Sequence, residues 1–428
     1  MDLLRSGTIR LAVLVWVGFA CVGCAGGAAP SVPSPVASPS PSSEPTERPS
    51  PAATRLGLGQ FQPILDVAEP AMSTGSAAMH ERLGSASDGA IFIKDYGSAT
   101  DGGDNIYHVT LYRSFDGVEW RSMSVPTPGD QQDSNVACRG SNCVVVSEFP
   151  QNGSVLVTVD GDSWGEAQPS PDLFQTSITA GPNGFVMSGY ALKTSKPRIV
   201  FSRNGRDWQD VSFQAGSQAI ETGLAFSDPT AGWFLMGGYG TPGNSHQAMA
   251  LSTDGLMWRD VDDPDHLYTT QDMSGQTVFH FKDRWYVLAK YRQMPAGWSA
   301  GGMGMPASTS TPVATWQTIY WIEDGTSILH STGRLSTSLP DEVVVVDGCL
   351  VGAKANADFT SSLLLSTNAV GWTDQGLLPP GVPEPSYLHG MAVYPLPQLA
   401  RAGSNVVMVG DALKPDEMGV GLYVAKPL

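Results

Sequence analysis

The chain has 428 residues, a formal net charge of −17, 48 Gly, 32 Pro and 41% hydrophobic residues. So acidic a chain is a poor partner for nucleic acid or for an anionic lipid surface; its charge serves solubility or attracts cations and basic partners. Helical periodicity is nearly absent, and short alternating runs between glycines and prolines read as an all-β protein.

Residues 1–24 place Arg5 and Arg10 around the start of an apolar run, LAVLVWVGFACV, too short to span a bilayer comfortably; this is the layout of an export signal. The segment ends VGC at 22–24, which resembles the close of a bacterial lipobox, with Cys21 where Leu is usual. On that reading Cys24 carries the lipid and the protein stands outside the cytoplasm, joined to the membrane through the anchor only; plain secretion and an uncleaved anchor are the alternatives. Removing this segment, which holds Asp2 against Arg5 and Arg10, leaves a mature charge of −18. Residues 25–54 are almost wholly Pro, Ser, Ala, Gly and Glu. Such a run cannot bury a core and its prolines favour extended chain, so it reads as a semi-rigid stalk. Residues 55–428 are then the folded part, expected as one monomeric domain.

That domain is organised by a recurring seven-residue turn: SFDGVEW at 114–120, TVDGDSW at 158–164, SRNGRDW at 202–208 and STDGLMW at 252–258, with looser copies IEDGTSI at 322–328 and STNAVGW at 366–372. Asp-Gly between apolar stretches is a hairpin signal, because Gly takes positive φ freely and Asp bonds nearby backbone amides. Asp116, Asp160 and Asp254, with Asn204 in the same role, precede Gly117, Gly161, Gly255 and Gly205; Trp120, Trp164, Trp258 and Trp208 follow, each large enough to cover the hairpin end. Ala369 in the Gly slot marks the 366–372 copy as degenerate. The Asp/Asn positions are spaced by 44, 44, 50, 70 and 44 residues. A period of roughly 40–50 suits a four-stranded propeller blade. An apolar strand precedes each turn and another precedes that strand, giving seven pairs ending at GLYVAK, 421–426. The expected fold is therefore a seven-bladed β-propeller of four-stranded blades. Its last blade lacks an outer strand, and the segment LGQFQPILD at 58–66 is the natural donor to close the ring.

The turn resembles the Asp-box, or BNR, repeat of sialidase-superfamily β-propellers, usually written S-x-D-x-G-x-x-W. Ser114, Asp116, Gly117 and Trp120 map in order, with one residue fewer between Asp and Gly. The resemblance implies a structural box joining the two outer strands of a blade, on the face away from any active site. It also raises a sialidase or other glycosidase, but that family's arginine triad, Tyr-Glu pair and Asp acid/base cannot be carried over. Arg198-Ile199-Val200 lies mid-chain, and Arg121, Arg203, Arg206 and Arg259 sit in or beside the turns.

Cys138 and Cys143 flank RGSN on adjoining inner strands of the second blade, where a cross-strand disulfide suits an exported protein and two buried thiols are the alternative. Cys349 aligns with Cys143, Phe185, Trp233 and Trp285 as a buried core residue. On the face opposite the turns the largest loop is 291–315, with Trp298 as a stacking platform for a sugar. Beside it DVDDPDH at 260–266 offers Asp262, Asp263 and Asp265 as hydroxyl partners or hard ligands for Ca²⁺, with Asp260, His246 and His266 nearby and DGGDN (Asp101, Asp104) under the same reading. No recognised metal spacing occurs, so no metal ligand is assigned and a solvated acidic loop is the plainer reading. The preferred function is a noncatalytic binding or scaffold module for a glycan or surface protein; the alternative is a sialidase-like or other glycoside hydrolase.

Overall fold

The computed structural model describes residues 61–426 apart from 69–78, 100–104, 127–133, 148–154, 168–172, 195–196, 212–213, 216–217, 220, 242–243, 264–272, 294–313, 336–337, 357–359, 379–385, 389–390, 394–397 and 412–418. Among the described residues there is no helix, and seven four-stranded antiparallel blades form a ring: the chain is a seven-bladed β-propeller.

Blade 1 runs Met79–Ala86, Ala90–Ala99, Asn105–Ser114 and Arg121–Val125, from the innermost strand outward. Blade 2 is Ser134–Arg139, Asn142–Ser147, Val155–Thr158 and Trp164–Glu166; two parallel pairs, Ser85↔Ala137 and Ala86↔Cys138, tie its inner strand to that of blade 1. Blade 3 is Leu173–Gly181, Gly184–Ala191, Pro197–Ser202 and Gln209–Asp210, and blade 4 is Glu221–Asp228, Gly232–Thr241, Asn244–Ser252 and Arg259–Asp260. Blade 5 is Met273–His280, Arg284–Gln293, Ala314–Glu323 and His330–Leu335; blade 6 is Glu342–Val346, Cys349–Ala355, Ser361–Ser366 and Thr373–Leu377. Blade 7 takes Gln398–Ala402, Asn405–Asp411 and Gly419–Ala425 from the C-terminal end of the chain. Its outer strand, Gln62–Ala68, comes from the N-terminal side. The ring thus closes with a donated N-terminal strand, a few residues later in the chain than LGQFQPILD suggests. Closure removes the open edge that a three-stranded last blade would present. Two short hairpins, Gln214–Ala215 with Gln218–Ala219 and Ser386–Leu388 with Met391–Val393, stand outside the blades.

The core is the set of seams between blades, which explains why the strands read as apolar runs rather than as strict alternation. Val343 and Val345 pack with Phe279, Tyr286 and Leu288 of blade 5, while Val344 and Val346 pack with Leu399, Val406 and Met408 of blade 7. Successive side chains of one strand thereby serve two seams, since a strand points them to opposite faces. Trp233, fully buried, meets Phe201 edge-on at 5.9 Å across the seam of blades 3 and 4.

One core assignment needs correction. The slot occupied by Phe185 and Trp233, each paired with the serine that ends the third strand, is filled in blade 6 by Leu350, opposite Ser366. Cys349 lies one residue earlier, pairs with Val346 and is only half-buried. Burial still pushes its thiol up from the ordinary range, against the pull of Lys282.

Candidate functional site

Each turn of the repeat joins the third and fourth strands of its blade, on the same face as the turns between first and second strands. In blade 1 the Asp116 carboxylate accepts the Val118 and Glu119 N–H groups at 2.8 and 2.9 Å, and Ser114 Oγ accepts the Gly117 N–H at 2.7 Å. Trp120 Nε1 donates to the Gly117 carbonyl at 3.0 Å. Those N–H groups, that of Glu119 first, hold the Asp116 carboxyl below the usual range, and Ser163 and Asp162 do the same for Asp160.

The carboxylate or amide bonds recur around Asp160, Asn204 and Asp254, and the hydroxyl bond to the Gly N–H recurs at Thr158 and Ser252, whereas Ser202 Oγ accepts the Asn204 N–H at 3.4 Å. Trp208 and Trp258 repeat the indole bond to the Gly carbonyl, and Trp164 packs into the seam of blades 1 and 2. Two expectations change. The 366–372 copy, degenerate in sequence, makes the full set through Ser366, Asn368 and Trp372, with Ala369 buried at φ 65°. The 322–328 copy, which keeps Asp-Gly, does not: Ile322 offers no hydroxyl, and the Asp324 carboxylate instead faces His280 Nε2 at 3.0 Å. His280 in turn lies 3.8 Å from Asp228 of blade 4.

The turns also lock blades together. Asn142 Nδ2 donates to the Asn204 carbonyl at 2.9 Å, Asn183 to Thr253 at 3.2 Å, Lys282 to Thr367 at 2.8 Å and Asn405 to Asp116 at 2.6 Å, each from one blade to the turn of the next. Cys138 and Cys143 form a disulfide across paired inner strands of blade 2, and Arg113 Nη1 donates to Cys143 Sγ at 3.2 Å. Burial lowers the pKa of Arg113, opposed by its pairing with Asp88 at 2.9 Å.

On the opposite face, where second strands pass to third, one group of charges lies at the start of blade 6's inner strand. Lys290 Nζ of blade 5 donates to Asp341 Oδ1 at 2.5 Å, Asp341 Oδ2 accepts the Ala355 N–H at 2.8 Å, and Thr277 Oγ1 donates to the Asp341 carbonyl. Glu342 points the other way, in step with Val344 and Val346, and takes the Leu399 N–H of blade 7. Burial, reinforced by the Asp341 charge, pushes its carboxyl up to about 8 against that hydrogen bond. In the next seam Gln398 Oε1 accepts the Leu83 N–H at 2.6 Å. This acid pair escaped the sequence reading because a single Asp-Glu among many carboxylates carries no spacing signal; only its place at the head of an inner strand distinguishes it.

The residues singled out for a ligand are only partly placed. Cys24, Asp101, Asp104, Asp265, His266 and Trp298 lie outside the described residues. Asp262 forms a parallel bridge with Ile328, its N–H donating to the Ser327 carbonyl at 2.6 Å and its carbonyl accepting the Leu329 N–H at 2.9 Å. The charge of Asp263 acts on Tyr320, whose burial raises its pKa. Both aspartates therefore sit at the outer seam of blades 4 and 5. Among the described residues no three His, Cys, Asp or Glu side chains gather as a metal site.

No protein-family model matches the chain, and no curated protein matches it by sequence. Solved structures do. The polysaccharide lyase Uly1 superposes with a TM-score of 0.51 at 8% identity, over 83% of this chain and 91% of that one. The β-propeller domain of the Trilobed protease from Pyrococcus furiosus gives a TM-score of 0.43 at 7% identity, over 81% and 97%. Trypanosoma rangeli sialidase in complex with sialic acid gives 0.40 at 10%, over 87% of this chain and 59% of that one. At such identities the likeness to the lyase is one of fold. The class defined here is a seven-bladed β-propeller whose structural neighbours include lyases, glycoside hydrolases and a sialidase.

Proposed function

We propose that this chain is an exported propeller, held at the cell surface by a lipid on Cys24 and a stalk over residues 25–54, that binds a glycan or surface protein without turning it over. The three complete turns of blades 1, 4 and 6, with the partial copies of blades 2 and 3, serve in it as Asp-box-like structural braces. The reading rests chiefly on how the inner-strand carboxylates are used. Outside the families that use a Tyr nucleophile, hydrolysis of a glycoside uses two carboxyl groups facing one substrate. Asp341 and Glu342 face opposite seams, and each is engaged by a neighbouring blade. Recognition is assigned in this proposal to the 260–266 and 291–315 segments, with Trp298 as stacking platform and Asp262, Asp263 and Asp265 as hydroxyl or Ca²⁺ partners. The acidic charge favours a monomer that avoids nucleic acid.

One feature favours the alternative, a glycoside hydrolase: burial pushes the Glu342 carboxyl up to about 8, the direction a general acid requires. Titrating Ca²⁺ and a glycan panel against wild type, Trp298→Ala and the triple Asp262→Asn, Asp263→Asn, Asp265→Asn variant separates the possibilities. Binding lost in these variants supports the loop site. Binding untouched by all four changes moves the site elsewhere on the ring.

A further inference from the structure

The turn of blade 1 carries side chains that the turn itself does not use. Its bonds are made by Ser114, Asp116, Gly117 and Trp120. The Phe115 and Glu119 side chains take no part in them, and their slots hold Val159 and Ser163 in blade 2 and Thr367 and Gly371 in blade 6. Phe115 is 55% exposed, and Glu119 is exposed as well. Between this turn and that of blade 2 lies a groove of about 390 Å³. Phe115, Trp120 and Met123 supply its apolar walls, and Asp116, Glu119 and Asp160 its carboxylates.

The charge balance of the groove is one-sided. Its two cations are already paired, Arg113 with Asp88 and Arg121 with Asp162. Among the described residues none of the three carboxylates is in an ion pair. Backbone N–H groups, those of Glu119 and Ser163 first, hold the Asp116 and Asp160 carboxyls below the usual range, so both are charged at neutral pH. The groove is also preformed. Asp88 accepts Arg113 Nη2 at 2.9 Å and, on its other oxygen, the Gly140 N–H at 2.8 Å, while Ser141 Oγ donates to the Val159 carbonyl at 2.6 Å. The first hairpin of blade 2, closed by the Cys138–Cys143 disulfide, is thereby tied to both sides of the groove. Arg113 lies over Phe115, its guanidinium carbon 4.5 Å from the ring centre, and holds that wall in place. A site ordered in advance loses less entropy when it is filled.

We propose that this groove is an interaction site for a basic segment of a partner protein, taking a lysine or arginine whose stem lies on Phe115 and Trp120 and whose head meets Asp116, Glu119 and Asp160. Long basic side chains join an apolar stem to a charged head, the two properties that the groove presents. Asp116, Glu119, Ser141 and Asp160 are exposed, so the groove is open along its rim. That suits a side chain presented by a second surface, whereas sites for small molecules enclose most of their ligand. The net charge of −17 adds long-range attraction for a basic partner. The groove lies on the turn face, and the proposal does not depend on what the opposite face binds.

The test titrates the full chain, labelled with fluorotryptophan, with acetylated and amidated peptides Gly-Leu-X-Leu-Gly in which X is lysine, arginine or norleucine. Norleucine keeps the stem and drops the charge. The fluorine resonance of Trp120, identified through Trp120→Phe, reports the groove. Saturable shifts of that resonance by the lysine and arginine peptides, with the norleucine peptide weaker by about tenfold or more, support the proposal. The same loss is expected for the lysine peptide in the triple Asp116→Asn, Glu119→Gln, Asp160→Asn variant, whose turns stay intact because Asn204 and Asn368 make the same backbone bonds. Glu119→Gln alone touches no side-chain bond of the turn, so weaker binding there supports the proposal independently of folding. Equal binding of the lysine and norleucine peptides, or binding unchanged in both variants, overturns it. So does a Trp120 resonance that no peptide moves. Cadaverine binding as tightly as the lysine peptide assigns the groove to a free amine and overturns the partner-protein reading.

Discussion

Gly117 in the first blade packs against Val407 in the last: a Cβ at 117 would stand 2.9 Å from Val407 Cγ2. The relationship repeats around the ring, Gly205 lying on Val144 and Gly255 on the ring of Phe201, each time against the preceding blade. The small residue of the turn is thus needed twice over, for a φ near +77° and for the approach of one blade to the next.

Gly255→Ala should therefore destabilise the domain by about 1–3 kcal/mol, through positive φ and overpacking on Phe201 together. Ala369→Gly should be nearly silent, because blade 6 already accommodates a methyl there at φ 65°. Chemical denaturation of the two variants checks the contrast; equal effects would mean that the seam contact is immaterial.

The hydroxyl two residues before the Asp is as necessary as the Asp. Ser252→Ala should cost about 1–2 kcal/mol, because the buried Gly255 N–H loses its acceptor. Thermal unfolding measures it, and a melting temperature equal to the parent's would reduce the turn to its Asp and Gly.

Glu342 gives the stability a pH dependence of defined sign. Its folded carboxyl titrates at about 8 against 4.5 in the unfolded chain, so the folded state binds the extra proton between those values. Stability should fall as pH rises from about 4.5 to about 8 and level off above. Glu342→Gln should remove that part of the slope and make the variant relatively more stable than wild type at pH 8 and above. Parallel stability curves for the two proteins over this window would contradict the assignment.

If lipid on Cys24 holds the protein as proposed, Cys24→Ala should release it from the membrane fraction with the propeller still folded, since the strands of the ring are built from residue 62 onward. Unchanged retention of a folded variant would exclude lipid at Cys24 as what holds it there.

Deleting residues 55–68 should lower the melting temperature of the whole domain, because Gln62–Ala68 supplies every backbone pairing on the outer edge of blade 7. A truncated chain as stable as the parent would show that closure contributes nothing.

The ring was legible in the sequence because its period, its turn residues and its missing outer strand are local patterns that repeat. The turn itself is less legible: Gly marks it in the sequence, but the hydroxyl residue decides whether it closes. Blade 6 makes the complete turn without Gly, through Ser366, and blade 5 fails to make it with Asp-Gly intact, because Ile322 has no hydroxyl. Cys349 was misplaced for a related reason. A one-residue offset exchanges core and edge in a strand, and only the cross-strand pairing of Leu350 with Ser366 fixes it. The Asp341–Glu342 pair was illegible because its meaning comes from three blades, with Lys290 on one side and Leu399 on the other, far apart in the chain.

The central claim, recognition without turnover by the face opposite the turns, is tested most directly by incubating the full protein with the glycan panel and measuring retained ligand and released product together. The account predicts saturable binding of at least one ligand with no product above background, in wild type and Glu342→Gln alike. Product formed by wild type and abolished by Glu342→Gln would contradict it and make the protein an enzyme.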